Sequence, residues 1–177
     1  SMARLLEILA ADIAGFERER QLLLNRTPRY RNDHDLADSL KTAIFNAYHS
    51  EVSGRRKIKG GRYAIDMLPT TCHVYFGSVM IASPDGRHAG RPVSEGISPV
   101  QGADRRGPTA VLKSAAKIDH VRTGGTLLNQ KFTPQMLQTD SDIEKLMHLI
   151  RAYFRMDGHH VQFNVVTAET LRAAQLE

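Results

Sequence analysis

The chain has 177 residues, 41% hydrophobic and 24% charged, which is the composition of one ordinary globular unit and excludes a disordered or fibrous chain. Twenty-four Lys and Arg against nineteen Asp and Glu give a net charge of +5, too dilute an excess to indicate nucleic acid. The single cysteine, Cys72, excludes an internal disulfide and a multi-cysteine zinc site, and no segment approaches the roughly 20 apolar residues of a membrane helix.

No cleavable signal pattern opens the chain, so a cytoplasmic location is expected. Ser1-Met2 reads as a remnant of tag removal and Leu176-Glu177 as a cloning junction, which leaves residues 3–175 for the fold. From Ala3 to about Glu19, Leu5, Leu6, Ile8, Leu9, Ile13 and Phe16 mark one helix. An Arg-rich connection follows, and Asn32 or Asp33 is expected to cap a second helix bearing Leu36, Leu40, Ala43, Ile44 and Ala47 inward. Gly54, Gly60 and Gly61 make 53–62 a loop.

Thr70 to Ala82 is rich in β-branched and aromatic residues and predicts a strand. Ser83-Pro84-Asp85-Gly86 is a turn signature, and residues 83–108, with Pro84, Pro92, Pro99 and Pro108, read as a long ordered loop of the kind that usually carries function. Pro108 then starts a third helix, and Thr126 to Phe132 reads as a second strand. Ser141 and Glu144 form a capping box for a helix with a broad apolar face, closed by Gly158. His159 to Val166 alternates as a third strand, and Thr167 caps a last helix. Helices alternating with strands imply an α/β fold with mostly parallel pairing.

Few short constellations carry chemistry. His159 and His160 point to opposite strand faces, no His pair has chelating spacing, and no metal is expected. The glycines fit neither phosphate-binding arrangement. Arg55, Arg56, Lys57, Lys59 and Arg62 form a basic run with only Tyr63 nearby, which reads as a solvated loop. Cys72 lacks a local base and reads as a small packing residue. The polar row His160, Gln162 and Asn164 is either an ordinary wet face or the lining of an enclosed interior, where each amide needs a partner.

Longer segments are more specific. SPDGRHAGRPVSEGISPVQGAD (83–104) with RRGPTAVLKSAAKIDH after it, TGGTLLNQKFTP (123–134), DGHHVQFNVVTAETLRAAQ (157–175) and PRYRNDHDLAD (28–38) resemble, in order, segments of glycyl radical enzymes, the pyruvate formate-lyase-like family. The wording around TTCHVYFG and RTGGTLLNQKFTPQ is most similar to the dehydratase/lyase branch that includes trans-4-hydroxyproline dehydratases.

The resemblance implies part of a ten-stranded α/β barrel in which two loops meet, one carrying a cysteine and the other a glycine in an Arg-Val-x-Gly-Tyr motif. It implies a glycyl radical installed by a radical S-adenosylmethionine activating enzyme, and a thiyl radical that takes hydrogen from a small-molecule substrate. Neither motif occurs among these residues, so the expectation is a C-terminal fragment lacking both radical carriers, silent by itself. The resemblance further implies that the strand before the SPDGR turn lines the pocket, which nominates Leu68, Thr70 and Cys72 for substrate binding. His160, Gln162 and Asn164 are nominated to seat the glycyl loop. The alternatives are a non-enzymatic scaffold that self-associates through exposed strand edges, and a nucleic-acid binder through residues 55–62, whose mark would be affinity falling steeply with salt.

Overall fold

The computed structural model describes residues 1–68 and 72–174. The expected first helix divides into α1 (Met2–Ala10) and α2 (Glu17–Arg26). Between them Asp12 and Ile13 adopt φ of +49° and +66° and Gly15 +79°, while the Ile13 N–H bonds back to the Ile8 carbonyl at 2.8 Å. That six-residue closure ends a helix in the left-handed region, which an isoleucine enters only under compulsion. Here the compulsion is burial: Ile13 packs with Ile8 and Ala82 in a small satellite core.

Helix α3 (Asp35–Val52) follows a cap position held by His34, not by Asn32 or Asp33. Asn32 instead spends its amide on the long loop, accepting from the Arg105 and Arg106 N–H groups at 2.8 and 3.2 Å and donating to the Ala103 carbonyl at 2.6 Å. The expected inner positions Leu36, Leu40 and Ile44 are 57%, 57% and 67% exposed, so the helix buries Asp38 and Phe45 and turns its apolar stripe outward.

The expected strand 70–82 is overturned: Cys72–Val79 is a helix, α4. Strand propensity reports fit to a pleated surface, and here packing decides otherwise. A Cβ on Gly77 would lie 2.4 Å from the Arg91 carbonyl oxygen, so α4 rests directly on the backbone of the loop. Strand character lies upstream, where Met67 bridges Thr126 in parallel.

Residues 83–106 hold no helix or strand, as the loop reading required. The Ser83 turn closes through Gly86 (φ +88°), and the Arg87 guanidinium ties the loop by donating to the Ile81, His88 and Arg91 carbonyls at 2.6, 3.1 and 2.8 Å. Helix α5 (Gly107–Ala116) begins with Pro108 in its first turn.

Strand β1 (Asn129–Phe132) is followed by α6 (Asp140–Arg155), β2 (Gln162–Val165) and α7 (Ala168–Ala173). The capping box of α6 uses Thr139 and Asp142, two residues before the expected pair. Its exit turns on Asp157 (φ +63°), while Gly158 lies flat against the Tyr153 ring. Of the expected α6 face Tyr153 is fully buried, but Ile143, Met147 and Phe154 stay 46–48% exposed. β1 and β2 pair in parallel with Asn129 opposite Gln162 and Lys131 opposite Asn164. The main core joins Phe45, Ile65, Ile97, Val111, Leu112, Leu128 and Tyr153 behind this sheet.

Buried polar groups stitch that core. His120, 1% exposed, places Nε2 2.9 Å from the Ala115 carbonyl and Nδ1 2.8 Å from the Thr126 hydroxyl. A carbonyl only accepts, so Nε2 carries the hydrogen and Nδ1 accepts from Thr126. Burial holds the His120 pKa below its ordinary 6.5. The unfolded chain therefore binds the extra proton first, and this contribution to stability is complete above pH 6.5 and is lost as pH falls through the depressed value. Urea midpoints measured at about pH 7.5 and 5.5 should fall more in the native chain than in His120→Gln; equal falls would refute the assignment.

Candidate functional site

In a parallel pair, residues opposite each other share a face, and faces alternate along each strand. Thr126, Leu128, Gln130 and Phe132 are buried toward the helices. The other side of the sheet therefore presents Asn129 and Lys131 with their partners Gln162 and Asn164. The Gln162 amide donates to Asn164 Oδ1 at 3.1 Å.

The loop 93–104 closes over the β1 half of this row and leaves Gln162 exposed. A cavity of about 220 Å³ lies between, lined among others by His73, Glu95, Ser98, Asn129 and Lys131. Asn129 anchors its floor. Its Nδ2 donates to Glu95 Oε2 at 2.6 Å, and its backbone N–H donates to the Ser98 hydroxyl at 2.9 Å. Asn129 Oδ1 is buried and accepts from no described residue, which leaves an acceptor unmet at the cavity floor. The loop meets the sheet at Gly96, where Ile97 N–H donates to the Leu127 carbonyl at 3.0 Å. Gly96 has φ +51°, and a Cβ there would lie 2.6 Å from the Leu127 carbonyl oxygen. Only glycine meets both demands.

The nominated residues separate into two groups. Gln162 and Asn164 stand together on the polar row; His160, exposed, precedes β2 in the same alternation. Leu68 is 45% exposed over Gly125 and lines an apolar groove with Ile44, Phe45 and Tyr48 of α3, not the polar cavity. Cys72 is exposed at the first residue of α4, where two-residue alternation no longer aligns it with Leu68. Thr70 lies outside the described residues. His73, which was not nominated, is the residue that reaches the polar cavity among the described residues of this stretch. Asn129, Lys131 and Glu95 were missed as well; only the register of β1 on β2 reveals the first two, and nothing local marks Glu95.

Residues 93–177 match the family model described as glycine radical, and residues 1–77 match the one described as pyruvate formate lyase-like. The chain belongs to the glycyl radical enzymes. Its fold is part of their α/β barrel. Among glycyl radical enzymes it is 55% identical to trans-4-hydroxy-L-proline dehydratase of Clostridioides difficile over 98% of this chain and 22% of that protein. It is 36% identical to isethionate sulfite-lyase of Bilophila wadsworthia over 99% of this chain and 21% of the relative. The crystal structure of hydroxyproline dehydratase from Clostridioides difficile with substrate bound superposes with a TM-score of 0.95 at 54% identity, covering 100% of this chain and 22% of that one. The B12-independent glycerol dehydratase of Clostridium butyricum superposes at 0.89 with 40% identity, covering 99% and 22%. The chain thus spans about a fifth of the length of the glycyl radical enzymes it matches.

Proposed function

We propose that this segment serves a glycyl radical dehydratase acting on a small hydroxylated substrate of the trans-4-hydroxy-L-proline type, and that it forms part of the chamber wall. The observation that carries this reading is the 55% identity to the hydroxyproline dehydratase, sustained over 98% of the chain. None of the 13 glycines stands in an Arg-Val-x-Gly-Tyr motif, so these residues do not host the radical. When present, a glycyl radical set by an activating enzyme supplies, through a thiyl radical, the hydrogen abstraction that starts dehydration.

What this chain contributes is walls and partners. The row Asn129, Lys131, Gln162 and Asn164 offers amide donors and acceptors and one cation to a loop seated against β1 and β2. With His160, Gln162 and Asn164 hold the glycyl loop. At the substrate end Thr70 is the residue whose hydroxyl would bond a substrate hydroxyl or carboxylate, with Leu68 and Cys72, its neighbours in sequence, as the flanking candidates. A site built to pair one polar group rejects analogues lacking it far better than an apolar wall does.

The test is a chimera in which these residues replace the matching segment of the Clostridioides difficile dehydratase. After activation it should dehydrate trans-4-hydroxy-L-proline, and Gln162→Ala with Asn164→Ala should lower the glycyl radical signal in electron paramagnetic resonance. A folded, radical-bearing chimera without turnover would refute the substrate class; an unchanged signal in the double variant would refute the seating role. The 177-residue chain alone, incubated with an activating enzyme, should turn over neither hydroxyproline, glycerol, choline nor pyruvate.

A second reading, a scaffold that associates with its own copies, is favoured by the outward stripe of Leu36, Leu40, Ile44 and Tyr48 on α3, each 57–67% exposed. Light scattering separates the two, since a strict monomer removes the scaffold.

A further inference from the structure

Behind the loop that roofs the polar cavity lies a second cavity, of about 280 Å³, whose lining includes Arg29, Tyr30, Lys41, Asp85, Ser94 and Ser98. It shares Ser94, Ser98 and Val100 with the first, so the two stand back to back across one loop. Its charge is unbalanced. Lys41 is half-buried and faces the Tyr30 ring at 6.0 Å, and the fully buried Arg31 guanidinium stacks 4.3 Å from the same ring. Among the described residues no carboxylate forms an ion pair with Arg29, Arg31 or Lys41. Asp38 is committed to Lys117 and the Ser114 hydroxyl at 2.7 and 3.0 Å. Asp85 lines the cavity but its carboxylate accepts from the Ser83 hydroxyl at 2.5 Å and the Arg87 N–H at 3.4 Å.

The donors are equally unspent. Arg29 uses one nitrogen on the Asp85 carbonyl, and its Nε is buried without a partner. The Tyr30 hydroxyl is buried beside the Arg31 guanidinium, and its own hydrogen meets no acceptor among the described residues. Ser98 accepts from the Asn129 N–H, which leaves its own hydrogen free to donate. Burial and the neighbouring Arg31 both push the Lys41 pKa down, and burial lifts that of Tyr30 to about 12. Two cations, Arg29 and Lys41, line a half-closed cavity with unmet donors and one carboxylate, Asp85, whose charge acts on Arg29; the surplus positive charge makes the cavity the complement of a small anion.

We propose that this cavity binds a small oxyanion of the carboxylate or sulfate type, held by Lys41, Arg29 and the hydroxyls of Tyr30 and Ser98. The site is distinct from the β1–β2 row and does not depend on the reaction proposed above. Its position makes it an effector site: Ser98 would donate to the anion while accepting from Asn129, linking occupancy to the floor of the polar cavity.

The experiment is calorimetric titration of the 177-residue chain with sodium sulfate and sodium acetate, at constant ionic strength made up with chloride. One saturable site with a Kd of roughly 1 mM is expected. Lys41→Met should weaken it about tenfold or more, and Lys41→Arg should stay within about threefold, because charge rather than the amine is required. In the native chain the Asn129 amide proton should shift with the same saturation curve. Heats that never saturate, a Lys41→Met variant binding as tightly as the native chain, or an Asn129 resonance that does not move would each overturn the proposal.

Discussion

Replacing Lys117 by methionine is expected to lower stability by about 2–3 kcal/mol and the melting temperature by about 4–12 °C. Lys117 Nζ lies 2.7 Å from Asp38 Oδ2, 2.9 Å from Asp33 Oδ1 and 3.3 Å from Asp35 Oδ1, joining the end of α5 to the start of α3. Asp38 is 1% exposed, so without Lys117 its carboxylate keeps only the Ser114 hydroxyl. Breaking a buried pair from one side costs about 3–5 kcal/mol; the loss expected here falls at or just below that range because Lys117 is a third exposed and its removal lets water approach the carboxylate. The three carboxylates hold the Lys117 pKa above its ordinary range, so the bridge persists through neutral and mildly alkaline pH. In the double variant Lys117→Met/Asp38→Asn, where no bare charge remains, part of the loss should return. Thermal melts of the three proteins decide it, and a single variant that melts with the native chain would remove the bridge from the account.

Gly96→Ala is expected to be at least as damaging, at about 2–5 kcal/mol, with loss of the polar cavity's closed shape. Two penalties combine there. The φ of +51° strains any residue with a Cβ, and that Cβ would lie 2.6 Å from the Leu127 backbone oxygen, which cannot swing aside as a side chain can. Gly102→Ala supplies the control on the same loop: its φ is +73° but nothing lies within 4 Å. It should cost only the backbone strain, about 1 kcal/mol. The difference between the two melts isolates the close approach, and equal melts would mean that loop and sheet are not pressed together at this point.

Much of this architecture can be read from residue pattern, and the failures have physical causes. Periodicity found α3, α5 and α6 because each depends on spacing within one segment, and the alternation of helices with strands implied the parallel pairing of β1 with β2. It joined α1 to α2 because the apolar stripe continues through Ile13, whose burial in a separate small core turns the chain instead. It made a strand of 70–82, where 72–79 is helix, because Val74, Tyr75 and Phe76 favour strands in isolation, whereas contact with Arg91 and Pro92 is a property of the folded loop. Leu36, Leu40 and Ile44 show the same limit: a stripe establishes that a helix has an apolar side, not what lies against it. At the site, alternation picked Gln162 and Asn164 correctly as one row. Asn129 and Lys131 complete that row through pairing register, which no local pattern in Thr126–Phe132 reveals.

Asn32 touches residues 71 to 74 positions further along the chain, and its one amide holds three backbone groups of the segment before α5. Such contacts form only after a long stretch of chain has doubled back, and each carries the entropy cost of closing that stretch. The end of the cavity roof next to α5 therefore hangs on one distant side chain, and a local opening that frees Asn32 releases three backbone groups there at once while α5 keeps its own helical bonds.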